Sequence, residues 1–146
     1  MDRDLVHQEL SGRIIGAAIA VANELKPGLD EKLYERALKL ELQFRGHALQ
    51  CQKPFRVYYR GHHIGTLVPD MVVDEKVLVD TKVVTGFTAS HVAQMIGYLT
   101  ITGLQLALLL NFSEAAVQWK RVVLQPGRDE SAARETTKDQ GDANRG

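Results

Sequence analysis

The sequence holds a single cysteine, Cys51, so no disulfide can form within the chain. Cys51 has no CxxC partner and no metal-ligand spacing around it. It fits a reducing compartment, and a buried, inert thiol is the expectation. Charge of one sign is also missing, because 18 bases balance 18 acids. A protein that grips nucleic acid tightly and without preference is usually basic. The total charge gives no sign of that, although a local basic groove can hide inside a neutral sum. Long hydrophobic runs are absent too. The longest, Ile14 to Ala22 (IIGAAIAVA), has nine residues, whereas a membrane span needs about twenty. No membrane association is expected. The first residues, MDRDLVHQEL, carry acids and no apolar h-region, so they do not read as a secretory signal; a cytoplasmic protein is expected. There is no phosphate-binding glycine loop, no GxSxG and no HExxH, which removes the hydrolase and metalloprotease classes those motifs mark.

What is present suits one globular domain. The chain has 146 residues, 45% apolar and 25% charged, ordinary values for a protein that buries a core. Residues 126–146 read PGRDESAARETTKDQGDANRG and contain no large apolar side chain. Such a segment cannot offset its ordering entropy, so a domain over 1–125 and a disordered tail over 126–146 are expected. Taking away the tail's four bases and five acids leaves 14 bases and 13 acids. The tail therefore does not mask a strongly basic domain.

The periodicity predicts a helix from about Leu5 to Leu25, with Ile15, Ala18, Ile19, Ala22 and Leu25 on its core face. Lys26-Pro27-Gly28 stops it. A second helix follows from about Asp30, its N-cap, to Arg45, with Leu33, Ala37, Leu40 and Phe44 as the apolar stripe. Three strands are predicted next, at Phe55–Tyr59, Ile64–Val73 and Val77–Val84. A helix then runs from near Thr88 or Ser90 to about Thr102. Leu104–Leu110 reads as a strand covered on both faces, and Val117–Leu124 as an edge strand. The order ααβββαββ implies an α/β fold with a mixed sheet flanked by helices.

Two neighbouring strands carry the candidate chemistry. Val68-Pro69-Asp70 is followed ten residues later by Asp80-Thr81-Lys82. Asp80 and Lys82 are two apart, so they share a strand face with Leu78. A three-residue loop, Asp74 to Lys76, pairs Val73 with Val77 and sets Asp70 opposite Asp80. Opposed carboxylates repel unless a cation lies between them, and Mg²⁺ takes one or two carboxylates with water and phosphate oxygens. A two-residue loop would instead put the two acids on opposite faces and leave Asp80 and Lys82 as a solvated pair.

Pro69-Asp70 with Asp80-Thr81-Lys82 resembles the PD-(D/E)XK nuclease motif. Gln94-Met95-Ile96-Gly97-Tyr98 is similar to the QxxxY helix of a subset of those nucleases. Gly28-Leu29-Asp30-Glu31-Lys32-Leu33-Tyr34 matches the motif of the GxxExxY family, which resembles the same superfamily. The likeness runs from about Ile14 to Leu124. It implies a restriction-endonuclease-like core and a Mg²⁺- or Mn²⁺-dependent nuclease acting on nucleic acid, with DNA the expected substrate. It implies Asp70, Asp80 and Glu31 as metal ligands, Lys82 as the catalytic lysine, and Gln94 and Tyr98 lining the site and facing the carboxylates. Relatives usually carry glutamate where this chain has Asp80. Gln94 and Tyr98 are i and i+4 and share a helix face; His91, one turn earlier, can share it too. Glu31 at a helix start also suits a helix dipole, and Tyr98 also suits a core. The other class of function is a nuclease fold without catalysis, serving as a binding or assembly subunit. A small-molecule enzyme has no supporting motif. A homodimer is a further expectation, since so small a domain often needs a second subunit to span duplex DNA. His62-His63 and the basic sets Lys32-Arg36-Lys39 and Arg56-Arg60 read first as solvated surface, and His7 and His47 as isolated.

Overall fold

The computed structural model describes residues 6–124; the expected tail over 126–146 lies outside them. Helix α1 spans Gln8–Leu25 and α2 spans Glu31–Phe44. Seven strands and one more helix follow: β1 (Leu49–Gln50), β2 (Phe55–Tyr59), β3 (His62–Leu67), β4 (Met71–Val73), β5 (Val77–Lys82), α3 (Ala89–Thr102), β6 (Leu106–Asn111) and β7 (Gln118–Val123). Five strands form a mixed sheet in the order β1-β4-β5-β6-β7. Only β5 and β6 are parallel within it, and α3 is the crossover that a parallel pair requires. The α/β class with a mixed sheet is therefore as expected.

The expected strand Ile64–Val73 is in fact two. Pro69 has no N–H to give to a ladder, and the chain breaks at Val68-Pro69-Asp70 between β3 and β4. β2 and β3 pair only with each other, as a hairpin outside the main sheet. The two-residue β1 has too little pattern to read from sequence.

Alternation along β5 gives each side of the sheet its own core. Val77 and Val79 pack with Ile14, Ala18, Val21, Tyr34 and Leu38 under α1 and α2. Leu78 packs with Met95, Leu99, Ala107, Leu109 and Val122 under α3. The buried face of α2 is Tyr34, Leu38 and Leu42, joined by Glu35. This corrects the expected stripe: Leu33, Leu40 and Phe44 are exposed, Phe44 at 80%. Both sets have helical spacing, so periodicity alone cannot set the phase. Tyr34 sets it: its ring stacks on Phe112 at 4.9 Å, and its hydroxyl donates to Lys26 O at 2.6 Å and accepts from Leu29 N–H at 3.1 Å. Ile19, expected in the core, is 42% exposed for the same kind of reason, because α1 packs on Ile14, Ala17, Ala18 and Val21. Cys51 is exposed and not buried. It lies between β1 and β2, where no element carries it into either core.

The β4–β5 turn has the three-residue loop. Val73 pairs with Val77 and Met71 with Val79. Asp74 and Glu75 both take left-handed backbone, at φ 52° and 60°, a region Asp tolerates better than most residues. The Asp74 carboxylate ties this turn to the end of α2. It lies 2.7 Å from His47 Nδ1 and accepts from Ala48 N–H at 2.8 Å, so His47 is not isolated. Burial works against the Asp74 charge, but the hydrogen bonds to His47 and Ala48 outweigh it and hold its pKa below the ordinary value. Asp74→Ala is expected to lose about 1–2 kcal/mol in urea unfolding at neutral pH. Because the folded pKa is depressed, that contribution is present above the ordinary carboxylate range. It disappears as pH falls through the folded value, so parent and variant should converge at low pH.

Candidate metal centre

Asp70 stands one residue before β4. Continuing the ladder from Met71–Val79 brings it beside Asp80 on β5. The two carboxyl groups are within hydrogen-bonding reach. Asp80 is buried at 8% exposure. Its Oδ2 lies 3.0 Å from Lys82 Nζ, but off the angle of a hydrogen bond. The contact is thus an ion pair, and a buried carboxylate oxygen keeps its lone pairs without a hydrogen-bond donor. The Lys82 ammonium offsets part of the cost of burying that charge, and a proton or a second cation can use the remaining lone pairs.

The electrostatics reflect the crowding. Burial, then the hydrogen bond to Asp80, then repulsion from Asp80 and Glu35 push the Asp70 pKa up to about 7, against a small pull from Lys32. Two adjacent acids sharing one proton behave this way. For Lys82, burial opposes the ammonium, but Asp80 first, and then Glu31 and Asp70, outweigh it and raise its pKa. Lys82 therefore stays charged at neutral pH.

Helix α2 supplies the other acids of the neighbourhood. Glu31, in its first turn, is exposed and acts on Lys82 through its charge. Glu35, one turn on, is 4% exposed and was not singled out from the sequence. It is held by Lys39 at 2.7 Å and Lys32 at 3.4 Å. Burial raises its pKa, but these two lysines outweigh that and the net shift is downward. The signal available was an acid next to the core residue Tyr34 with lysines at i−3 and i+4. Among the described residues no three His, Cys, Asp or Glu side chains converge as a ligand set. Asp70 and Asp80 come together; Glu31 stands apart from them.

Helix α3 covers the sheet face that carries Leu78 and, by alternation, Asp80 and Lys82. Tyr98 packs at the edge of that core. Gln94 is exposed, against the expectation that it turns from solvent, and donates to the Tyr98 hydroxyl at 3.3 Å. Met95 and Leu99 take the buried arc instead, which leaves Gln94 on the helix flank. His91 is occupied as a cap: its Nδ1 accepts from Thr88 N–H at 3.0 Å while Thr88 Oγ1 accepts from His91 N–H. A second residue missed from sequence is Asn111, which pairs with Lys82 across the parallel strands. Its amide accepts from Val84 N–H at 3.1 Å and donates to Val84 O at 2.8 Å. It fixes the path of the chain just past the lysine. A polar residue ending the apolar run Leu106–Leu110 was its one sequence signal.

Two adjacent carboxylates, one with an undonated buried oxygen, are hard oxygen donors. They fit a small divalent cation of the Mg²⁺ or Mn²⁺ kind, which takes one or two carboxylates and completes its shell with water and phosphate oxygens. The sequence matches the description of the PD-(D/E)XK nuclease superfamily over residues 8–122. No curated protein and no solved structure matches it. The matched span runs from the start of α1 into β7 and includes both carboxylates and the lysine, and on this match the chain belongs to the PD-(D/E)XK nuclease superfamily.

Proposed function

We propose that the protein is a metal-dependent nuclease that hydrolyses phosphodiester bonds in DNA, with Asp70 and Asp80 holding Mg²⁺ or Mn²⁺. The observation that carries this reading is the buried Asp80 carboxylate, ion-paired with Lys82 at 3.0 Å, beside an Asp70 whose pKa is pushed up to about 7. A bound divalent ion supplies positive charge that polarises a phosphoryl oxygen and makes water more acidic. The two aspartates release the proton they share when they take up the ion, and they fix its position. Lys82 stays protonated and is held over the site by Asp80. From there its ammonium offsets the negative charge that grows on the phosphate during attack. Glu31 is proposed as a further oxygen donor from α2, and Gln94 and Tyr98 as contacts to the substrate strand. The test is divalent-dependent cleavage of defined single-stranded, duplex and branched DNA. No cleavage by the parent with either metal, and Lys82→Ala indistinguishable from it in every assay, would favour the other reading. That reading is a nuclease fold acting as a binding or assembly subunit, and the neutral net charge is its support.

A homodimer is also proposed, and the α2 stripe, exposed at Leu33, Leu40 and Phe44, supports it. Leu33, Ala37, Leu40 and Phe44 repeat with 4-3-4 spacing, the seam of a helix pair. Arg36 and Glu41 flank that seam five residues apart, the offset at which opposite charges meet between parallel helices. Phe44→Glu is expected to convert a dimer to a monomer in sedimentation velocity with its circular dichroism spectrum unchanged, because Phe44 is 80% exposed in its own chain. It should melt lower than the parent only by the stabilisation that dimerisation supplies. A parent that sediments as a monomer rules the dimer out.

A further inference from the structure

Among the described residues the β2–β3 hairpin is the one pair of strands outside the main sheet, and its composition differs from that of the other elements. From Leu42 to Pro69 there is no acid. Lys53, Arg56 and Arg60 make no ion pair among the described residues. The bases Arg13, Lys32, Lys39, Arg45 and Lys82, by contrast, are all paired with acids. Lys26, Arg36 and Lys76 are unpaired among the described residues as well, but they are scattered over other parts of the chain, each with an acid within six positions, whereas the arm's three cations share one stretch without any acid. The same arm exposes two aromatics, Tyr58 at 54% and Tyr59 at 63%. The register shifts between Val57 and Tyr58 because β3 carries the extra residue, Ile64, so the bulge lies on β3 and the alternation along β2 is unbroken. Phe55 and Val57 are the half-buried side of β2, toward α3. Arg56 and Tyr58 therefore share the outward side, and Arg60 sits over the Tyr59 ring at 5.9 Å. The arm is joined directly to the carboxylates, since β3 ends at Leu67 and Asp70 is three residues on. That is at most about 10 Å of extended chain.

We infer that the β2–β3 hairpin is a binding arm for single-stranded nucleic acid. Arg56 and Arg60 take successive phosphates, Tyr58 and Tyr59 stack unpaired bases, and the strand is led along β3 toward Asp70 and Asp80. Exposed aromatics interleaved with unpaired cations are what single-strand binding uses, because every base has a stacking face and the phosphates are evenly spaced. A blunt duplex would offer the phosphates but hide the base faces. The inference rests on the nuclease reading only for the class of ligand; the arm requires neither metal nor cleavage.

The test is fluorescence anisotropy of the full chain in EDTA, with a labelled single-stranded oligodeoxynucleotide of about 15 nucleotides and a blunt duplex of the same sequence. The parent should prefer the single strand. Arg56→Ala/Arg60→Ala should lower the slope of log affinity against log salt by about 1.4, since each phosphate contact on a single strand contributes about 0.7. Tyr58→Ala should weaken single-strand binding at least about fivefold with the salt slope unchanged. All three positions are exposed, and unchanged thermal unfolding of each variant shows that folding is intact. Tyr58→Phe, which keeps the ring, should restore binding. Equal affinity of the parent for the blunt duplex overturns the inference. So does parent-like binding by the arm variants, or displacement of the oligonucleotide by polyglutamate of equal charge as readily as by unlabelled DNA. Asp80→Ala separates the two proposals. If it binds single strands like the parent while no protein cleaves, the arm stands and the nuclease reading falls. Metal-dependent cleavage with parent-like binding by the arm variants gives the reverse.

Discussion

Lys82→Ala should lower the rate of DNA cleavage about 10²–10³-fold while leaving metal binding and folding close to the parent's. Lys82 cannot be a ligand, because its ammonium is held charged by Asp80, Glu31 and Asp70. Its charge matters most when the phosphate gains negative charge, so the loss should appear in kcat more than in KM. Asp80→Ala should lose metal binding and cleavage together. It also leaves Lys82 without its ion-pair partner at 3.0 Å, so Asp80→Asn is the milder companion. Metal binding is read separately, as the rise in melting temperature on adding Mn²⁺; an ion present at about 100 times its Kd stabilises by about 2.7 kcal/mol. The lysine's role is refuted by a Lys82→Ala protein that cleaves like the parent, or by one that no longer responds to Mn²⁺.

Without metal, the protein should lose stability as pH rises from about 4 to about 7, and Mg²⁺ or Mn²⁺ should reverse that trend. Asp70 has a folded pKa of about 7 against an ordinary value of 3.8. Between these values the folded state holds a proton that the unfolded state has released. The slope of unfolding free energy with pH is therefore negative in that window and levels off above pH 7. Glu35 and Asp74 act in the opposite sense, since their folded pKa values are depressed. Their contributions are lost as pH falls through the carboxylate range, so the metal-free optimum should lie in mild acid. A divalent ion competes with the shared proton, and its stabilisation should grow through neutrality. Asp70→Asn should flatten the decline above pH 4 and abolish the metal response. Urea unfolding at several pH values, with EDTA or with Mn²⁺, reads both effects. A flat metal-free profile over that window would mean that the two carboxyl groups do not share a proton.

The pair of strands at the centre of these expectations was legible in the sequence because strand alternation is a strict period of two. Asp74-Glu75-Lys76 between two runs of valines narrowed the hairpin to two registers, and the structure has the one that pairs Val73 with Val77. Pro69 marked the strand break as soon as its missing donor is taken seriously, yet the continuous apolar run across it hid the separate hairpin. The capping of α3 by Thr88 and its closure at Gly103, with φ 78°, were local chemistry and readable as such.

By itself, the sequence determined the α/β class, the segments that become its main helices and strands, the place of the turn between Asp70 and Asp80, and the shared strand face of Asp80 and Lys82. All of these depend on neighbours within a few positions of the chain. The tertiary structure alone decided which arc of α2 is buried, because Leu33-Leu40-Phe44 and Tyr34-Leu38-Leu42 have equally good helical spacing. The stacking of Tyr34 on Phe112, 78 positions away, breaks the tie. With that phase set, Glu35 is carried into the neighbourhood of Asp70 and Phe44 into solvent. The pKa of Asp70, the undonated oxygen of Asp80 and the grip of Asn111 beyond Lys82 likewise exist only once distant segments close on one another. Burial and field at a point depend on everything packed around it, and no local pattern in the chain encodes them.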